Sequence, residues 1–269
     1  MLQLEKFTKM GNRHEVSTGE PFFPIKKLLQ DGLTFMAAIE IEISRQLFDR
    51  RPNFSNLQVK QQFGQIGKTS ITRVDHVFLP GSHTPLFSRK MKFVYIDREL
   101  RKPKAWPRWL VDKLQSTEMI SEPPFLVAQF DKAEKTFVHR AQVLWLDTDS
   151  YNHTTYAAYP GFALNALHYA MFLKSLQENG GKDNRLQLPN RHWSGDLSAL
   201  DGFSESIIHK GLESFQISYI SECNEGDVVA VHVWRSDAQD FKVNVSVEHT
   251  SGSRICQMVL KYYGPNSLL

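Results

Sequence analysis

Asp147-Thr148-Asp149-Ser150-Tyr151-Asn152-His153 joins two runs of opposite character. Before it, Phe137 to Leu146 reads as a strand, with Val138, Val143 and Trp145 among its β-forming residues. After it, Thr155 to Leu173 holds no Asp, Glu, Lys or Arg and is apolar nearly all round, which predicts a helix buried on most sides. Its small residues Ala157, Ala158, Gly161, Ala163, Ala166 and Ala170 would let a sheet wrap it closely, and Pro160 suits a first helical turn. Two carboxylates and an imidazole are thus crowded between a core strand and a core helix. Burying such groups costs several kcal/mol unless they are paired or used. The turn is the first candidate for chemistry.

Working outward, four strand-like runs follow at Phe215–Glu222, Val228–Arg235, Phe241–Glu248 and Ile255–Tyr263. Turn chemistry separates them: Asn224-Glu225-Gly226-Asp227, Ser236-Asp237-Ala238 and Ser251-Gly252-Ser253. Gln177 to Leu212 is polar and is expected to be irregular. Upstream the same plan recurs, with a strand at Leu4–Met10, a central helix at Leu33–Phe48, and strands at Leu57–Phe63, Ser70–Phe78 and Leu86–Ile96. Ile39-Glu40-Ile41-Glu42-Ile43 alternates as a strand would. The apolar flanks Phe35, Met36, Leu47 and Phe48 carry the run past ordinary strand length, and so favour helix. Arg98 to Pro124, with four prolines and mixed charge, reads as a divider. The expected architecture is α+β, with units at 1–120 and 121–269.

Bulk properties narrow the classes. A net charge of +3 is too mild for a nucleic-acid binder but allows a local patch for an anionic ligand. Two cysteines give neither a disulfide framework nor metal-ligand spacing, which fits a reducing compartment. No stretch approaches the ~20 apolar residues of a membrane span. A cytoplasmic enzyme or binding protein is the expectation, as monomer or homodimer.

Asp147-Thr148-Asp149, then His153, Tyr159, Gly161, Phe162 and Leu164, resembles the turn-and-helix signature of hot-dog-fold thioesterases. It is most similar to the C-terminal half of acyl-ACP thioesterases, whose pattern runs D-x-D-x-N-x-H-x-N-N-x-x-Y-x-G-W. Downstream, Tyr219-Ile220-Ser221-Glu222-Cys223 resembles the family's Tyr-x-x-Glu-Cys strand end. The resemblance implies a double hot-dog protein, two tandem units each with a helix wrapped by an antiparallel sheet, that hydrolyses an acyl-CoA or acyl-ACP thioester. It implies catalytic roles for Asp149, His153 and Glu222, with no metal and no cofactor. Tyr151, Thr155 and Tyr156 stand where the family has asparagines, and Asn152 lies beside the first of these positions.

The chemistry of the residues runs parallel to this. Thioester hydrolysis needs an activated water or a carboxylate nucleophile, and donors aimed at the nascent oxyanion. Asp149 suits the base or nucleophile, His153 and Glu222 the supporting groups, and the amides of Asn152 to Thr155 the oxyanion donors at a helix N-terminus. Asn152, Thr154 and Tyr151 would support the site, although Thr154 equally suits a plain helix cap. Trp145, Tyr159 and Phe162 are candidates for substrate contact, and Phe35, Met36, Ile39 and Ile43 for a pocket floor. Arg101 and Lys104 belong to a basic stretch with Trp106 and Trp109, either a dock for a carrier's phosphates or a solvated linker whose tryptophans cover the sheet. A dehydratase or hydratase on the same scaffold, or a non-catalytic acyl-binding protein, are the rival readings.

Overall fold

The computed structural model describes residues 27–28, 30, 32–49, 56–116, 119–120, 125–149, 152–178, 192–236 and 241–264. The strand expected at Leu4–Met10 lies outside them. Four strands come from the first half: β1 (Leu33–Ile43), β2 (Gln58–Ile66), β3 (Ser70–Phe78) and β4 (Phe87–Ile96). Six come from the second: β5 (Phe137–Gln142), β6 (Trp193–Gly195), β7 (Leu212–Tyr219), β8 (Val228–Arg235), β9 (Lys242–His249) and β10 (Arg254–Tyr262). All join one ten-stranded antiparallel sheet in the order β2-β3-β4-β1-β7-β10-β9-β8-β5-β6.

The register explains how one sheet serves both halves. Met91, Ile39, Ile217, Met258, Val245, Val233 and Phe137 face one another in a continuous row from β4 to β5. Every member of the row is buried. The 21-residue helix between β5 and β6, Ala158–Glu178, packs on this row through Ala163, Ala166, Leu167 and Ala170, all fully buried. Three alanines bring its axis close to the sheet, while each large apolar side chain so buried contributes about 1.5–3 kcal/mol. Pro160 sits in its first turn, where a missing N–H costs nothing. Gly161 is not needed for packing, since a Cβ there would meet nothing within 4 Å. Among the described residues three short helices have bounds, α1 (Gln46–Asp49), α2 (Arg108–Gln115) and α4 (Glu205–Ile208); the long one is α3.

The helix expected at Leu33–Phe48 is strand β1 followed by a single helical turn. The alternation at Ile39–Ile43 was the true signal. β1 pairs with β4 on one side and β7 on the other, so it lies mid-sheet, with Ala38 and Ile39 buried and Glu42 exposed. That position accounts for the apolar flanks that imitate a helix. Glu40, on the opposite face to Ile39, accepts a hydrogen bond from the Gln216 amide of β7. The strand expected to run to Leu146 stops at Gln142, and Trp145–Asp147 forms a 3-10 turn instead.

The divider is also more structured than expected. Ile96 bridges to Pro103, and α2 closes a small core of Leu28, Phe63, Ile71, Tyr95, Trp106, Leu110 and Leu114. Trp106 stacks on Tyr95 with ring centroids 5.0 Å apart. Farther along the same sheet face, Asp75 is buried between Arg73 (2.8 Å) and Arg89 (2.6 Å). On the reverse face of the second half, Lys132 and Ser246 donate to Glu248 at 2.7 and 2.9 Å. His232 stands 3.6 Å from the same carboxylate, and Phe130 exchanges two hydrogen bonds with Gln257. These contacts strap residues 125–136 across the sheet.

Candidate active site

The chain leaves β5 through a tight corner. Val143 exchanges backbone bonds with the β7–β8 loop, its N–H donating to Asp227 O and its O accepting from Gly226 N. The Asp147 carboxylate accepts the Leu144 amide at 2.9 Å, which closes the 3-10 turn. Asp147 is therefore a backbone cap. Asp149 accepts the His153 amide on Oδ1 at 3.3 Å, while its own N–H donates to His153 O at 2.9 Å. Asn152 has φ +62°, a left-handed turn that Asn tolerates better than most residues. Its amide donates to Asp149 O, and the residue is exposed.

The strand end after β7 meets this corner directly. His153 bridges to Asn224, and the Thr154 amide donates to Cys223 O at 2.8 Å. Thr154 Oγ1 donates to the same oxygen at 2.9 Å and lies 3.1 Å from Cys223 Sγ. Tyr159 OH is 3.4 Å from that sulfur. His153 Nδ1 consequently faces Glu222 Oε2 at 3.7 Å, beyond hydrogen-bond length but within electrostatic reach. Glu222 also meets a guanidinium from the first half: Arg101 Nη2 donates to Oε2 at 2.5 Å. Asp149, which is exposed, and His153 and Glu222, which are half-buried, meet at one end of the sheet, with Arg101 added.

Other expectations fare differently. Thr154 is buried and fully engaged with Cys223, so it ties the corner down and caps nothing. The amides of Asn152, His153, Thr154 and Thr155 all donate already, to Asp149 O, Asp149 Oδ1, Cys223 O and Asp147 O. They are not available to an oxyanion. Among the described residues the next two amides, of Tyr156 and Ala157, have no backbone acceptor, as first-turn amides commonly do not. Cys223 is fully buried, and burial pushes its thiol up, so it is a packing residue rather than a nucleophile. Tyr159 and Phe162 are core residues with rings edge to face, and burial raises the Tyr159 phenol far above its ordinary range.

Trp145, by contrast, is 70% exposed on its turn. Lys104 is held within its own half, 3.4 Å from Asp97 and 5.2 Å above the Tyr95 ring. Tyr151 lies outside the described residues. A cavity of about 420 Å³ lined by Lys174, Trp193, Asp196, Ser198 and Asp201 lies toward the far end of α3, not at the corner. Among the described residues no cluster of three or more His, Cys, Asp or Glu could hold a metal ion, and no helix is long and apolar enough to cross a membrane.

No family model matches the chain, and no curated protein matches it by sequence. Solved structures do match. The 12:0-ACP thioesterase from Umbellularia californica superposes with a TM-score of 0.65 at 11% identity, over 97% of this chain and 88% of that one. An acyl-ACP thioesterase from Bacteroides thetaiotaomicron gives 0.60 at 11% identity, again over 97% and 88%. At such identity the likeness is one of fold. The chain has the α+β double hot-dog fold.

Proposed function

We propose that this double hot-dog chain hydrolyses an acyl thioester, carried on coenzyme A or on an acyl carrier protein, to the free carboxylic acid. The observation that carries the reading is the meeting of Asp149, His153 and Glu222 where the corner abuts the strand end. Resemblance in two separate sequence motifs and in fold to acyl-ACP thioesterases supports the same chemistry.

In this mechanism Asp149 acts as base. With Nδ1 turned to Glu222, the Nε2 of a neutral His153 accepts a hydrogen bond from the same water that Asp149 deprotonates. The water oxygen adds to the thioester carbonyl, whose oxygen becomes negative opposite the amides of Tyr156 and Ala157 at the mouth of α3. Collapse expels the thiolate, which is stable enough near neutral pH to leave with little help and then takes up the proton from Asp149. The open side of Gly161 leaves room for the acyl group to approach this turn. Residues 121–269 would carry the chemistry, and residues 1–120 would shape the acyl side through Phe35, Met36, Ile39 and Ile43. Two unpaired buried cysteines support a cytoplasmic setting.

The test is thiol release from a chain-length panel of acyl-CoA substrates. Asp149→Ala is expected to lower kcat by roughly 10²–10⁴-fold, the usual worth of a general base. Full activity in that variant refutes its role.

A further inference from the structure

We infer that Arg101, from the first half, is a positioning residue that neutralises Glu222 and so keeps His153 an uncharged acceptor; the inference rests on the hydrolytic reading of the corner. Arg101 is not placed there by chance of a long side chain. Its backbone has φ +52°, a left-handed conformation uncommon outside glycine, Asn and Asp. The loop around it is over-determined. Asp97 Oδ1 accepts the amides of Glu99 and Leu100 at 3.1 and 3.0 Å, Asp97 O accepts the Arg101 amide, and Asp97 N–H donates to Lys102 O. A strained residue held so firmly points to a role for its side chain. That side chain crosses 121 positions of sequence to reach Glu222.

The charges around His153 explain what the contact does. Asp149 lies on its own turn, and Glu222 and Asp227 lie on the β7–β8 loop. Arg254, at the start of β10, is turned to Asp131 at 3.8 Å. Without Arg101, an ionised Glu222 at 3.7 Å would favour the imidazolium, which cannot accept a hydrogen bond from water. With Arg101 at 2.5 Å, the carboxylate's charge is met, and it orients the ring without charging it.

The experiment compares wild type with Arg101→Ala, Arg101→Gly and Arg101→Lys. The His153 ring is followed by NMR across pH, and kcat and KM are measured on one acyl-CoA. In Arg101→Ala the His153 titration midpoint is expected to rise by about one pH unit, the usual influence of a single facing charge. The acid limb of kcat should move with it, kcat well down that limb should fall about tenfold, and KM should change less than about threefold. Arg101→Gly suits the left-handed backbone and should behave like Arg101→Ala, whereas Arg101→Lys should restore most of both signals. Adding Glu222→Gln to Arg101→Ala should cancel the rise in midpoint. An unmoved midpoint in both Arg101→Ala and Arg101→Gly overturns the inference. So does a rise that persists after Glu222→Gln. The NMR arm needs no turnover, so a wild type inactive on both acyl-CoA and acyl-ACP would refute hydrolysis while the titration still decides what Arg101 does.

Discussion

The two halves share one sheet but close it in different ways. In the second half, α3 lies across an apolar face of Val231, Val233, Val243, Val245 and Val247. In the first half the eight-residue α2 covers only the part near Tyr95 and Ile71, and farther along the same face two arginines hold a buried carboxylate. The long helix does more than pack. It presents a helix mouth to the corner, and the first half has no such mouth among its described residues. What the first half offers instead is a hydrogen-bonded loop that presents Arg101 to Glu222. A scaffold can thus repeat its antiparallel strands while its two halves are covered in different ways.

The largest effect should come from the second half. Leu167→Ala removes a fully buried side chain from the centre of α3 and should cost about 2–5 kcal/mol. Denaturant unfolding measures it, and a cost under 1 kcal/mol would mean that α3 does not organise the core.

In the first half, burial alone would raise the Asp75 carboxyl, but the hydrogen bonds and charges of Arg73, then those of Arg89, hold it below its ordinary value. Asp75→Asn leaves two arginines facing a neutral group and should cost about 3 kcal/mol. A neutral result would make the first half as tolerant of charge as an open surface.

A smaller effect concerns acid. Burial lowers His139, with His192 adding repulsion, and burial together with Lys132 lowers His232 despite Glu248. A histidine depressed on folding takes its proton more readily when unfolded. The stability it contributes is therefore full above the unfolded value near 6.5 and declines as pH falls below it. Glu248 and Asp75, both lowered, push the same way at lower pH, where their carboxylates are lost. The melting temperature should drop by a few degrees between pH 7 and pH 5. His139→Phe should remove part of that slope, and an unchanged slope would locate the sensitivity elsewhere.

Legibility in the sequence followed how local the deciding interaction was. Ser70–Phe78 and Val228–Arg235 match β3 and β8 because alternation and turn residues suffice there. The corner and the Glu222 strand end were readable as spaced motifs. β1 was misread because its apolar flanks carry the run past ordinary strand length, and only its neighbours β4 and β7 show it to be a mid-sheet strand. The oxyanion amides were misplaced because Cys223 and Asp147, whose backbone oxygens take up Thr154 and Thr155, meet those residues only in the folded chain. Arg101 read as a contact for ligand phosphate, since nothing local to it names Glu222 as its partner.

The seal formed by Thr154, Tyr159 and Cys223 gives the protein an internal gauge of its own opening. Both of its thiols are fully shielded, so an alkylating reagent can reach Cys223 only in the fraction of molecules whose turn has lifted off the strand. The labelling rate of that sulfur, set against that of Cys256 deep in β10, would distinguish breathing at the corner from loss of the whole sheet.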